Sequence, residues 1–252
     1  MLVKTKEEIE KIRQAGKILA QVAKAVLSRA EEDVKLKELD SLARDLITKA
    51  GGKPAFLGYQ PYGAAKPYPC SICTSVNDVV VHGVPSNYTL KLGDILKLDF
   101  GVNYAGWNAD AAWTVAIGNA SEEANRLIKV TEKALFDGIK QMKAGNHLGD
   151  IGCAISKTVA RHGFQVVEGL TGHGVGQEIH EDPSVFNEGK KGSGMLLKTG
   201  MVLAIEPMVS AGSPKIIQLK DESYATADGS LSAHFEHTVA ITAKGPEILT
   251  II

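Results

Sequence analysis

The chain has 252 residues, and its 28 Lys+Arg against 29 Asp+Glu give a formal net charge of −1; no basic run of five or more occurs, so the electrostatic footprint of a nucleic-acid binder is missing. With 44% hydrophobic and 23% charged residues a sizeable core can be buried, yet no apolar stretch approaches the roughly 18 to 20 residues that span a bilayer. The N-terminal stretch MLVKTKEEIEKIRQAGK is too charged for a signal peptide, and Cys70, Cys73 and Cys153 make no disulfide framework, so a reducing cytoplasm is the expected location.

Thr5 and Glu8 have the spacing of a capping box, in which each side chain satisfies the other's exposed backbone N–H. Ile9, Ile12, Leu19, Val22 and Val26 follow at helical spacing. A second helix is expected over about Leu36–Lys49, with Leu39, Leu42, Leu46 and Ile47 on one face and Gly51-Gly52 ending it. Gly58 to Cys73, rich in Pro, Tyr and Gly, reads as loop. The apolar runs at 78–84 and 94–102 read as strands. Ser121-Glu-Glu opens a third helix to about Met142, and Asp150 opens a fourth to about His162. Strand-like runs return near Met201–Glu206 and Phe235–Ile241. LKLGDILKLD at 90–99 is echoed by LKTGMVLAIE at 197–206, each copy ending in a carboxylate. With the matching element order, this suggests one domain of two related halves, about 1–117 and 118–252. Two such halves facing each other would set equivalent carboxylates around one cleft.

Leu96 to Ile117 reads as a hairpin. Leu96, Leu98, Phe100 and Val102 alternate with Lys97, Asp99 and Gly101. A turn at Ala105-Gly106 would put Asp99 opposite Ala112, with Asp110 its diagonal neighbour on the same face at roughly 7–8 Å. Two metal ions about 3.5–4 Å apart fit between such side chains; the plainer alternative is two solvated aspartates. Glu206 ends the apolar strand Met201-Val-Leu-Ala-Ile205 and precedes Pro207, where an unpaired buried charge would be very costly. Glu236 interrupts an apolar alternation and shares a strand face with His234, Thr238 and Ala240. The run Thr171-Gly-His-Gly-Val-Gly176 is GxGxG, not the dinucleotide fingerprint GxGxxG. Its glycines more plausibly let backbone approach a crowded site holding His173, with His180 seven residues on.

Charge arithmetic favours one cluster: Asp99, Asp110, Glu206 and Glu236 with a neutral His173 balance two divalent ions. Oxygen-rich ligation with one imidazole suits Mn(II), Fe(II) or Co(II) better than a thiolate-type zinc site. Cys70-Ser-Ile-Cys73 has no second ligand pair at hand for zinc, and its thiols are expected to sit in a loop or pocket.

Val80-Val-His82-Gly-Val-Pro85, the Asp99…Asp110 spacing, Gly172-His-Gly-Val-Gly176…His180-Glu-Asp-Pro183, Ile205-Glu-Pro-Met208 and Ser232-Ala-His-Phe-Glu236-His-Thr238 together resemble the type I methionine aminopeptidases of peptidase family M24, over essentially the whole chain. No N-terminal extension and no long insert before Glu206 suggest the type II enzymes. The resemblance implies an α/β (α+β) "pita-bread" fold, with curved antiparallel sheet inside pseudo-twofold halves and helices outside. It implies a dinuclear metallo-hydrolase (Co, Mn, Fe or Zn) that removes the initiator methionine of nascent polypeptides when the second residue is small. Asp110 and Glu236 would bridge both ions, Asp99 would complete the second site, and His173 and Glu206 the first. Glu206, His82 and His180 would be catalytic, the histidines touching substrate rather than metal. Tyr59, Tyr68, Cys73, His82 and Ile179 would wall the methionine pocket. Asn77, Val79 and Ser232 match positions that bind a monovalent cation, Na or K, in some members. A monomer that associates transiently with the ribosome, without membrane or sequence-specific nucleic acid, is the implied setting. Departures are a few extra residues around Pro61–Lys66, the absence of a usual tryptophan near Asp221 in Asp221-Glu-Ser-Tyr-Ala225, and Ile179 where an aromatic is frequent. The rivals are an Xaa-Pro aminopeptidase or dipeptidase of the same fold, which normally carries a further N-terminal domain, and a metal-free binding protein, which should have lost ligands.

Overall fold

The computed structural model describes residues 2–61 and 63–251; of the loop expected to carry extra residues, Tyr62 lies outside them. Helix α1 (Lys6–Leu27) opens with the capping box. Thr5 Oγ1 accepts the Glu8 N–H at 3.2 Å, and Glu8 Oε2 accepts the Thr5 N–H at 2.8 Å. Helix α2 (Leu36–Lys49) follows, then strands β1 (Lys53–Pro54), β2 (Ile72–Val76), β3 (Val79–Val81), β4 (Ile95–Tyr104) and β5 (Trp107–Ala116). Helix α3 (Glu122–Ile139) starts where Ser121 Oγ accepts the Ala124 N–H at 3.1 Å. It stops short of Met142: the Met142 and Lys143 N–H groups turn back onto the carbonyls of Ile139 and Gln141, which leaves Met142 buried beneath the helix end. In α4 (Leu148–Arg161) Asp150 is the third residue, not the first, and its carboxylate accepts the His147 N–H at 2.8 Å.

The remaining strands are β6 (Gln165–Val166), β7 (Thr171–Gly174), β8 (Glu181–Phe186), β9 (Val202–Ile205), β10 (Met208–Ser210), β11 (Ile216–Gln218), β12 (Tyr224–Thr226), β13 (Ser232–His234), β14 (His237–Thr242) and β15 (Gly245–Ile248). Among the described residues all strand pairs are antiparallel, and no helix is long and apolar enough to cross a membrane. One sheet runs β1-β4-β2 with β5 on the free side of β4, and another runs β15-β14-β9-β7-β8. The apolar face of the first packs on α1 and α2, where Leu19, Leu39 and Ile47 meet Leu96, Leu98 and Phe100. The second packs on α3 and α4, where Leu127, Leu135 and Ile155 meet Leu203, Ile205 and Val239. The helices therefore lie outside, and β4 turns its alternate residues Lys97, Asp99 and Gly101 inward.

Two junctions tie the sheets together, one between the five-stranded sheet and the three-stranded sheet β13-β10-β6, the other along β5. The reach from Phe235 to Ile241, expected as one strand, is broken: β13 pairs with β10 and β14 with β9. The register is nevertheless the same on both sides, Met208 facing His234 and Ile205 facing His237. Glu206 thus lies opposite Glu236, and Pro207 opposite Phe235. Proline has no N–H to give the ladder, so pairing lapses there, and only the long contact from the Phe235 N–H to the Pro207 carbonyl (3.4 Å) spans it. The other junction runs along β5. Ala112 and Glu236 exchange N–H and carbonyl bonds at 3.3 and 2.9 Å. On either side, threonine hydroxyls stand in for backbone. Thr114 Oγ1 serves the His234 carbonyl and N–H at 2.6 and 2.9 Å, and Thr238 Oγ1 serves those of Asp110 at 2.7 and 2.9 Å.

Candidate metal centre

Across the junctions, neighbouring strands present Asp99 (β4), Asp110 (β5), Glu236 (between β13 and β14), Glu206 (after β9) and His173 (β7) in that order. Each of five adjacent backbones contributes one side chain. The hairpin has the expected register, Asp99 facing Ala112 and Asp110 facing Gly101. Its turn residues Ala105 and Gly106 have φ of 51° and 82°, the paired positive values that match the twist of the flanking strands. β7 can lie against β9 because a Cβ on Gly172 would collide with the Ala204 carbonyl oxygen.

Two three-residue groups have potential ligand atoms all within 4.8 Å of one another: Asp99, Asp110 and Glu236, and His173, Glu206 and Glu236. Glu236 belongs to both, and Asp110 also groups with His173 and His180. His173 Nε2 is 3.3 Å from Glu206 Oε1, 3.8 Å from Asp110 Oδ2 and 4.0 Å from Glu236 Oε1. Its Nδ1 lies 2.9 Å from the Gly174 carbonyl, which can only accept, so the proton belongs on Nδ1 and the Nε2 lone pair faces the carboxylates.

Asp99 Oδ1, Asp110 Oδ1 and Glu236 Oε1 are buried without a hydrogen-bond donor. Burial pushes Asp99 up to about 6 and Glu206 to about 7, the latter against the pull of His173. Burial, then repulsion from the other carboxylates, drives Asp110 and Glu236 well above the usual range. Buried anions that repel one another and lack donors need cations, so these residues fit divalent metal.

Beside them opens a cleft of about 890 Å³. Tyr59, Tyr68 and Cys73 line it together with Phe56, to which the sequence assigned no role; Ile179, expected on the pocket wall, is instead buried behind it against this cluster. The Phe56 ring lies on β4 where Gly101 has no side chain; a glycine inside a strand was the available signal. His82 and His180 keep accessible surface on the cleft, yet its walls shield them from bulk water. Burial, then nearby imidazoles, lowers His82 to about 4 and His180 to about 3. His82 is held at φ 60°, a conformation uncommon outside glycine. His180 Nδ1 lies 2.8 Å from the Tyr59 hydroxyl, and its ring packs edge-on to His173 at 4.4 Å.

Asn77, Val79 and Ser232 also meet, at the far end of β4. The Ser232 hydroxyl donates to the carbonyls of Asn77 (3.1 Å) and Val79 (3.3 Å), and Lys97 Nζ donates to the Asn77 carbonyl at 2.7 Å. Two groups near these residues were missed from sequence. His234 is buried with both ring nitrogens lacking hydrogen-bond partners, and Nε2 lies 3.4 Å from Glu206 Oε2. Its placement on the Glu236 face was visible, its approach to Glu206 was not. The other is Lys97.

An antiparallel frame that gathers four carboxylates and one imidazole beside a cleft lined by Phe56, Tyr59 and Tyr68 fits a metal-dependent hydrolase. The model of metallopeptidase family M24 matches residues 10–243, and the chain belongs to that family. It is 46% identical to a methionine aminopeptidase of Clostridium perfringens, covering 100% of this chain and 99% of the relative. Its structure superposes on the crystal structure of methionine aminopeptidase from Thermotoga maritima with a TM-score of 0.95 and 41% identity, over 100% of both chains. The prolidase of Pyrococcus furiosus shares the fold at a TM-score of 0.78 and 24% identity, with 66% of that longer chain covered.

Proposed function

We propose that this protein is an aminopeptidase that removes N-terminal methionine ahead of a small second residue. The observation that supports it best is the row of five candidate ligands, one per neighbouring strand, in which Asp99, Asp110 and Glu236 each bury an oxygen that has no donor. Asp110 and Glu236, at the middle of the row, would hold both of two divalent ions, with Asp99 on one side and His173 and Glu206 on the other. Bound there, such ions would polarise the scissile carbonyl and acidify water.

The protein's own side chains divide the remaining work. Glu206, whose carboxylate would be kept ionised by the neighbouring cations, is suited to accepting the proton of the attacking water. With the Tyr59 hydroxyl as donor to His180 Nδ1, the ring proton would sit on Nε2, free to donate to the oxygen where charge develops. His82, which also lines the cleft, would meet the scissile nitrogen and assist the leaving amine. Both imidazoles stay neutral at pH 7, so each keeps one donor and one acceptor. Methionine would fit against Phe56, Tyr59, Tyr68 and Cys73, because a thioether gains roughly 0.3–1.5 kcal/mol from aromatic contact.

The test is chelation followed by add-back, assayed on Met-Ala-Ser and Ala-Pro peptides. Turnover of the methionine peptide should vanish and return with Mn(II), Fe(II) or Co(II), with two ions bound by calorimetry. Full turnover by metal-free protein would refute the metal role, and faster cleavage of Ala-Pro would favour an Xaa-Pro peptidase instead.

A further inference from the structure

Lys97 is 1% exposed and stands on β4 two residues before Asp99, on the same face, opposite Ser75 of β2 and Thr114 of β5. A buried amine needs an acceptor, and Nζ meets the Asn77 carbonyl at 2.7 Å. That carbonyl is aimed by its surroundings. Asn77 sits at φ 52° in the turn between β2 and β3. Its side chain locks it there, Oδ1 accepting the Ile95 N–H at 3.0 Å and Nδ2 donating to Asp94 Oδ1 at 2.9 Å.

The same carbonyl also receives the Ser232 N–H and the Ser232 hydroxyl, both at 3.1 Å. A carbonyl oxygen has two lone pairs, and three donors saturate it. The hydroxyl that would turn its oxygen toward a cation instead points its hydrogen at the carbonyls of Asn77 and Val79. The trio that the family resemblance assigns to Na or K therefore does not fit a free ion here.

We propose that the Lys97 side chain replaces that cation, so that this protein needs neither Na⁺ nor K⁺. The amine is a positioning residue. It ties β4, which leads into Asp99, to the Asn77–Ser232 link, and Ser232 opens the strand that leads to Glu236. The contact does not depend on the amine's charge, since every protonation state keeps an N–H to donate.

The experiment compares choline, sodium and potassium chlorides at equal ionic strength, reading Tm, Mn(II) affinity by calorimetry, and turnover of Met-Ala-Ser. Only the turnover arm rests on the aminopeptidase reading. If that reading fails, the peptide is uncut in every salt while the other two readouts still decide. For the wild type all readouts should be the same in the three salts. Lys97→Ala, which opens a cation-sized space, should lose about tenfold or more in Mn(II) affinity in choline, and Na⁺ or K⁺ should restore most of it. Lys97→Gln keeps an N–H donor and should stay salt-independent, which covers the case of an alanine variant that does not fold. The proposal is overturned by a wild type that needs Na⁺ or K⁺, by a folded Lys97→Ala with undiminished affinity, or by a loss that neither ion repairs.

Discussion

Thr238 is fully buried, and its hydroxyl is the partner of both the N–H and the carbonyl of Asp110. Thr238→Val keeps the shape and strands two buried backbone groups. At about 1–3 kcal/mol for each orphan, less about 0.8 kcal/mol for the added apolar carbon, the net loss should be about 1–5 kcal/mol. In a chain of this length each kcal/mol lowers Tm by about 2–4 °C, so metal-free protein should melt about 2–20 °C lower. Asp110 would also lose its anchor on the neighbouring strand, and Mn(II) affinity should fall by about tenfold. Thr238→Ser retains the hydroxyl and should recover the affinity while losing only the packing of one methyl. Differential scanning calorimetry of the metal-free forms and Mn(II) titrations measure both effects. A Thr238→Val protein with wild-type Tm and affinity would show that the hydroxyl does not couple the sheets.

Glu206→Gln keeps the side chain's shape but removes its basicity, and steady-state turnover should fall by at least about 10²-fold; near-normal turnover would remove Glu206 as the base. His82→Ala and His180→Ala should each lose about 10²–10³-fold in kcat while still binding two ions, and a lost ion in either variant would contradict a substrate-facing role. Asp137 supplies the acid limb of stability. Burial pushes its carboxyl up, but bonds from Lys133, Lys140 and Thr158 prevail and bring it from 3.8 down to about 2. A folded value below the unfolded one stabilises the native state above the unfolded pKa, and this is lost as pH falls through 3.8 toward about 2. The group is 20% exposed, so about 1–2 kcal/mol is expected. The gap in urea midpoint between wild type and Asp137→Asn should close over that window; a gap constant with pH would refute it.

Local periodicity made much of this arrangement legible. The bounds of α2 and the facing of Asp99 with Ala112 follow from spacing and one turn, because neighbours along a helix or hairpin are fixed by the chain itself. The sequence echo falls on β4 and β9, each of which runs directly into a candidate ligand. What escaped depends on encounters between distant strands. The break at Phe235 becomes visible only once Pro207 is known to face it. Lys97 reads as an ordinary charge in an alternating strand until the left-handed turn at Asn77, twenty residues away, delivers a carbonyl to it. Alternation set His234 on the Glu236 face, but its approach to Glu206, on a strand paired from elsewhere in the chain, left no mark in the sequence.

The candidate ligands ride on or beside paired strands, but the far rim of the cleft is loop. Residues 63–66 and 219–223 meet where the Ala65 N–H is accepted by Glu222 Oε1 at 3.1 Å, with Glu222 itself at φ 71°. Connecting segments tolerate insertion and replacement far better than sheet interiors do. An engineer could therefore graft different lengths and chemistries into this rim and retune which downstream residues are accepted, leaving the hydrolytic machinery as inherited. Natural divergence can follow the same route. The extra residues near Pro61 and the tryptophan-free stretch at Asp221–Ala225 stand on the part of the protein where change is least expensive.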